Sequence, residues 1–176
     1  FTGMDMLRYY LLKTEPFDLN VVWNKIFKLD LFNGVVPVRF PKGRVQEDNF
    51  TIFMLFLNAN SIVTVNEPLY YYVQRAGSIM ATFTRRFMID TIESHIYMSD
   101  YLMNHCSSVK NELQLYLLNS YVELSRRVCA NKCKKEYNDL LIQYKHYVLD
   151  HTADTSHNPM WKCKQYIKRL LVKLYY

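Results

Sequence analysis

Apolar residues recur at three- and four-residue spacing along most of this chain, which predicts helices joined by polar turns. Met4, Leu7, Leu11 and Leu12 define a helix over 3–13 that ends before Pro16. Residues 19–27 are rich in β-branched and aromatic side chains and read as strand or irregular extended chain. A short helical turn at 29–32 follows, broken by Gly34 and Pro37. Phe50, Phe53, Met54 and Leu57 restore helical spacing over 47–58, with Glu47 and Asp48 in the first turn, where acids suit the positive end of the helix dipole. Segments 61–65 and 69–74 read as two strands or an extended pair around the turn Asn66-Glu67-Pro68. After Gly77 the pattern is helical over roughly 85–105, 109–130, 133–149 and 160–174, the last opened by Asn158-Pro159. Leu113, Leu117, Tyr121, Leu124 and Val128 form one bundle stripe, and Leu140, Leu141, Tyr144 and Val148 another. The expected class is α+β, mostly helical, with a mixed part at 1–84 and a helical tail at 85–176.

Composition supports a packed protein. Half of the 176 residues are apolar, and 15 Tyr and 10 Phe supply large side chains whose full burial contributes about 1.5–3 kcal/mol each. Disorder is excluded on that ground. The longest apolar runs, such as 52–57, fall far short of the roughly 20 residues that cross a bilayer. Cys106, Cys129, Cys133 and Cys163 lack the density of a secreted disulfide framework, which fits a reducing cytoplasm. Cys129 and Cys133 share a helix face and His105 or His146 could be imagined beside them, but no second pair has ligand spacing for zinc.

Candidate chemistry lies in three polar segments. Trp23-Asn24-Lys25-Ile26-Phe27 comes first, then the turn Phe40-Pro41-Lys42-Gly43-Arg44-Val45-Gln46-Glu47-Asp48-Asn49-Phe50, then Leu69-Tyr70-Tyr71-Tyr72-Val73-Gln74-Arg75-Ala76-Gly77-Ser78-Ile79. In that order and spacing they resemble a bacterial family 2 glycosyltransferase, over roughly residues 1–85. The resemblance implies the carboxyl-terminal, acceptor-side part of a GT-A catalytic domain followed by a helical tail. The nucleotide-binding half of such enzymes, with its Asp-x-Asp metal motif, has no counterpart here. The chain opens on Phe1-Thr2-Gly3 and reads as a fragment inactive by itself. A divalent metal, Mg or Mn, is expected in the full-length enzyme, held mostly by residues outside this chain.

The resemblance implies inverting transfer from a nucleotide-sugar donor to a saccharide or lipid-linked acceptor in surface polysaccharide biosynthesis. Asp48 matches the catalytic base, which takes the acceptor proton as the acceptor oxygen attacks. A helix amino terminus should keep its carboxyl ionised. Glu47 is the neighbouring candidate, although adjacent helical residues diverge by about 100° and cannot face one atom together. The competing reading is that both acids only complement a helix terminus. Arg75 is assigned to the donor diphosphate, with Gln74 and Ser78 beside it and Gly77 permitting a tight turn; the alternative is a surface turn. Lys25 is a second cation, Asn24 a hydrogen-bond donor to sugar or acceptor, and Trp23 either core or a sugar-stacking face.

Charge is concentrated in the tail. The net charge is +6, with basic clusters at 126–135 and 162–173, and the last sixteen residues hold no acid. An anionic partner follows from that asymmetry. No zinc finger, recognition helix or aromatic platform supports a nucleic acid. Residues 161–176 mix basic and apolar positions like an interfacial helix, so a peripheral place on the cytoplasmic membrane face competes with an ordinary last bundle helix. A homodimer is also admitted. The rival to an enzyme is a non-catalytic helical interaction module or basic membrane-associated domain.

Overall fold

The computed structural model describes residues 1–14, 18–34, 36–73, 82–152 and 159–174, and for 159–161 the backbone alone. Two compact units are present, 1–98 and 99–176. The division falls within helix α3 (Arg85–His105).

The first unit is built on α1 (Gly3–Leu12), α2 (Ile52–Asn58) and the amino-terminal part of α3. A capping box starts α1: the Thr2 hydroxyl accepts from the Asp5 N–H, and the Asp5 carboxylate accepts from the Thr2 N–H. Lys13 ends it in the left-handed conformation, φ 52°. Met6, Leu7, Tyr10 and Leu11 of α1 are buried, as are Ile52, Phe53, Leu55 and Phe56 of α2. Tyr10 meets Phe56 edge to face at 6.1 Å. Gly3 is required where the two helices meet, because a Cβ there would fall on the carbonyl oxygens of Phe56 and Ala59. Thr84 caps α3 by accepting from the Phe87 N–H.

The second unit is helical. It holds a 3₁₀ turn at Ser107–Val109, then α4 (Lys110–Ala130), α5 (Lys134–His151) and α6 (Pro159–Leu174). α4 packs against both α5 and α6. The expected stripe Leu113, Leu117, Tyr121, Leu124 and Val128 is buried. Leu141, Tyr144 and Val148 of α5 are buried with Tyr137, while Leu140 is half-buried. Pro159 opens α6, the position where its missing N–H costs no helical bond. At the other end of α5, Arg169 Nη1 donates to the Leu149 carbonyl and to the Thr152 hydroxyl, both at 2.9 Å.

The α+β expectation is not met: among the described residues there are helices and turns but no strand, which conflicts with a GT-A domain. Residues 61–65 and 69–74, expected as strands, form no ladder over the described residues 61–65 and 69–73; Gln74 lies outside them. One reciprocal pair forms, Phe1 N–H to the Ile62 carbonyl at 3.0 Å and Ile62 N–H to the Phe1 carbonyl at 2.8 Å. It cannot lengthen past Thr2, which already caps α1. Val63, Val65, Leu69 and Val73 stay exposed, so β-branched composition finds no second face to pack against.

Helix α2 also starts later than its apolar spacing predicts. Gln46 sits at φ 67°, the Asn49 amide donates to Gln46 Oε1 at 2.7 Å, and the Thr51 hydroxyl donates to the Glu47 carbonyl at 2.9 Å. The Asn49 N–H also donates to the Gln46 carbonyl at 3.1 Å, so a turn closes here first and the helix begins at Ile52. Glu47 and Asp48 therefore lie before the helix.

Candidate functional site

The turn carrying Asp48 is fastened to α3 through one buried acid. Asp90, fully enclosed, accepts from the Val45 N–H at 2.8 Å, from Arg44 Nη1 at 2.7 Å and from Arg86 Nε at 2.8 Å. Arg44 also pairs with Glu93 and lies over the Phe50 ring, 5.5 Å from its centroid. Arg86 Nη2 donates to the Gly43 carbonyl at 2.8 Å, and Thr91 to Gln46 Oε1 at 3.2 Å. Burial works against an ionised Asp90, but hydrogen bonds from Val45, Arg44 and Arg86 outweigh it and hold the carboxyl below its ordinary value. The segment 43–47 thus has a fixed path.

Asp48 follows directly. Its carbonyl accepts from the Thr51 and Ile52 N–H groups at 2.9 and 2.8 Å, and its carboxylate from the Asn49 N–H at 3.0 Å. Glu47 is exposed, Asp48 half-buried. Burial pushes the Asp48 carboxyl up, and the charge of Glu47 pushes it further; the Asn49 bond opposes them and Asp18 adds a smaller increase. That direction is opposite to the lowering expected of a helix terminus. The reason is local: the acid precedes the helix, and its environment is a partly enclosed turn with two other acids in electrostatic reach.

The Trp23-Asn24-Lys25 segment enters the same neighbourhood. Lys25 Nζ donates to the Asp18 carbonyl at 3.2 Å, the Val21 carbonyl at 2.5 Å and Asn24 Oδ1 at 2.7 Å. An ammonium has three donors, so all are engaged. The Asn24 amide donates to the Asp18 carbonyl at 3.1 Å. Burial lowers the Lys25 pKa to about 8, partly offset by the charges of Asp18 and Asp48. Lys25 and Asn24 therefore tie their own loop together, and the lysine charge reaches Asp48 through space.

Trp23 stacks on Tyr70 at 4.8 Å and on Tyr72 at 4.9 Å, with interplanar angles of 27° and 18°. It is 40% exposed, hence neither core nor a bare platform. Its rings join the loop at 18–25 to the extended segment at 69–73. Gln74, Arg75 and Ser78 lie outside the described residues, as does Gly77. Tyr70, Tyr72, Asp18 and Asp90 were not singled out from sequence. Asp18-Leu19-Asn20, an acid whose side chain accepts from a backbone N–H two residues on at 3.0 Å, carried a turn signal that could have marked the first.

Among the described residues no group of three or more His, Cys, Asp or Glu is placed to hold a metal ion. No helix among these residues is long and apolar enough to cross a membrane.

Sequence comparison relates this chain to glycosyltransferases. It is similar to the glycosyltransferase GlyG of Streptococcus pneumoniae serotype 4 (strain ATCC BAA-334 / TIGR4), 43% identical over 58 residues, which is 33% of this chain and 18% of that protein. It is also similar to the glycosyltransferase GlyA of the same strain, 25% identical over 108 residues, 61% of this chain and 15% of that protein. The matched region thus spans less than a fifth of either relative. No family model matches the chain, and no solved structure does.

Proposed function

We propose that this chain carries the proton-accepting part of a glycosyltransferase that moves a sugar from a nucleotide-sugar donor, with inversion, to a saccharide or lipid-linked acceptor. The observation that carries this reading is Asp48. It is a half-buried carboxylate with raised proton affinity, on a turn that Asp90 pins to α3 and within electrostatic reach of Lys25. Glycosyltransferase relatives support the reaction class.

In the reaction the acceptor hydroxyl gives its proton to an Asp48 oxygen while its own oxygen bonds to the anomeric carbon. The bond from that carbon to the donor phosphate breaks, and its electron pair leaves with the nucleoside diphosphate. A carboxyl whose affinity for protons is raised is a better base than a solvated one, as long as it is ionised at the working pH. Lys25, its N–H groups already satisfied within its loop, holds positive charge near Asp48 and favours the ionised form. Trp23 keeps the loop and the 69–73 segment in register, and Arg75 is assigned to the diphosphate.

The test is Asp48→Asn in the intact protein. Product formation from a panel of nucleotide sugars should be abolished, with a loss of about a hundredfold or more, while isothermal titration with the same panel shows nucleotide binding nearly unchanged. Parallel loss of binding and transfer would overturn the assignment.

A further inference from the structure

Helix α6 uses one face to pack and leaves another apolar face outward. Gln165 and Val172 point inward, 1% and 0% exposed, and Gln165 Nε2 donates to Gln114 Oε1 on α4 at 2.5 Å. At about 100° per residue, Tyr166, Ile167, Leu170 and Leu174 fall on the opposite side of the helix, together with Cys163. All five are exposed, Leu174 to 75%. The same spacing puts Lys162 and Lys173 along one border of this strip and Lys164 along the other, while the half-buried Lys168 falls nearer the packed face. No acidic residue occurs on α6.

We propose that this outer face of α6 docks on an anionic lipid surface, with the helix lying in the plane of the membrane. The apolar strip would enter the boundary between headgroups and acyl chains, and the lysines on either side would extend their stems past it to the headgroup phosphates. The helix is too short and too basic to span. Charge banding selects the occupant. A second copy of the chain in a two-fold contact would set lysine borders against lysine borders, with no acid on α6 to relieve the repulsion. A nucleic acid would lay its phosphates across an apolar strip. A lipid bilayer offers an apolar interior and anionic groups on both flanks at once.

Vesicle flotation with the full chain tests this, using vesicles of equimolar phosphatidylcholine and phosphatidylglycerol against phosphatidylcholine alone. The chain should float with the anionic vesicles and only weakly with the neutral ones. Lys162→Gln combined with Lys173→Gln should weaken binding by about fivefold for each lysine removed. Ile167→Glu with Leu170→Glu should weaken it by at least about tenfold, and Leu174→Gln, at an exposed helix end, gives a reduction of the same sign if the double variant misfolds by circular dichroism. Equal flotation on both vesicle types, no flotation, or unchanged flotation of a folded apolar-strip variant would overturn the proposal. So would a wild-type dimer in sedimentation that Leu174→Gln converts to monomer, since a second copy would then cover the strip.

Discussion

Asp90 on α3 accepts a hydrogen bond of 2.8 Å from the backbone N–H of Val45, so a helix carboxylate sets the path of the turn that presents Asp48 three residues later. Arg44 and Arg86 share the same carboxylate. Removing it leaves the part-buried Val45 N–H without its acceptor and takes one partner each from Arg44, which keeps Glu93, and Arg86, which keeps the Gly43 carbonyl. Asp90→Ala should therefore destabilise the protein by about 1–3 kcal/mol, read from denaturant midpoints. Asp90→Asn, which keeps the shape but not the charge, should cost less. If both variants fall within about 0.5 kcal/mol of wild type, the carboxylate does not hold the turn.

The neighbouring acids make a pH prediction. Asp48 is pushed up by burial first and by Glu47 second, so the acid limb of kcat/KM should lie above the ordinary carboxylate range. Glu47→Gln removes the second cause and should move that limb to lower pH without abolishing transfer. The stability sign is separate. A carboxyl raised in the fold is a burden at pH values above its folded pKa and is relieved as pH falls through it. Asp48→Asn should accordingly raise Tm at neutral pH while it removes activity, a trade seen where a site retains an unfavourable group. An unshifted limb in Glu47→Gln would show that Glu47 exerts no influence on the base.

Much of the helical layout was legible because long amphipathic stripes encode it directly: 85–105 reads as a helix from spacing alone, and Leu113 through Val128 is buried as that spacing requires. The failures share a cause. Val63, Val65 and Tyr70 have strand composition, but composition does not supply a ladder partner, and Tyr70 is engaged by Trp23 instead. The start of α2 was missed because apolar spacing at Phe50 and Phe53 says nothing of the Asn49–Gln46 bond that closes a turn first. Asp48 was visible as an acid in a polar turn. Its raised pKa was not, since that depends first on enclosure, which the sequence does not show, and only then on Glu47 beside it and, to a smaller extent, on Asp18, distant in sequence.

Lys25 should titrate well below an exposed lysine, at about 8. Reductive methylation with a labelled carbon and NMR titration would read this directly. Because the folded value lies below the ordinary lysine value of 10.5, the unfolded chain binds more protons between the two, and stability should rise with pH across that window. Lys25→Met abolishes the rise. A Lys25 signal titrating with the surface lysines would contradict its enclosure by the carbonyls of Asp18 and Val21.

Trp23 and Tyr72, stacked at 4.9 Å, make a pair whose coupling a double-mutant cycle can isolate. Trp23→Leu and Tyr72→Leu, alone and together, should give an interaction of about 0.5–1.5 kcal/mol. Trp23 fluorescence should also change in Tyr72→Leu. Coupling near zero would separate the 18–25 loop from the 69–73 segment and return Trp23 to the role of a sugar platform.

His95, a buried residue of α3, predicts where acid sensitivity begins. Burial, followed by the charge of Lys13, lowers its pKa to about 3 from 6.5, so the imidazole is neutral in the fold. Below pH 6.5 the unfolded chain gains a proton that the folded chain refuses until about pH 3, and stability should fall across that interval. The full pKa difference is not expected as free energy, because local opening or water entry would admit the proton earlier. His95→Gln removes the titration while keeping a polar side chain of similar length. Denaturant unfolding at a series of pH values should then show a shallower decline for the variant between pH 6.5 and about 3.8, where the unfolded chain's carboxylates take up protons while Asp90, held lower in the fold, is still ionised. Identical slopes would mean that His95 reaches solvent readily in the native state, and that acid sensitivity of the first unit comes from Asp90 and other carboxylates.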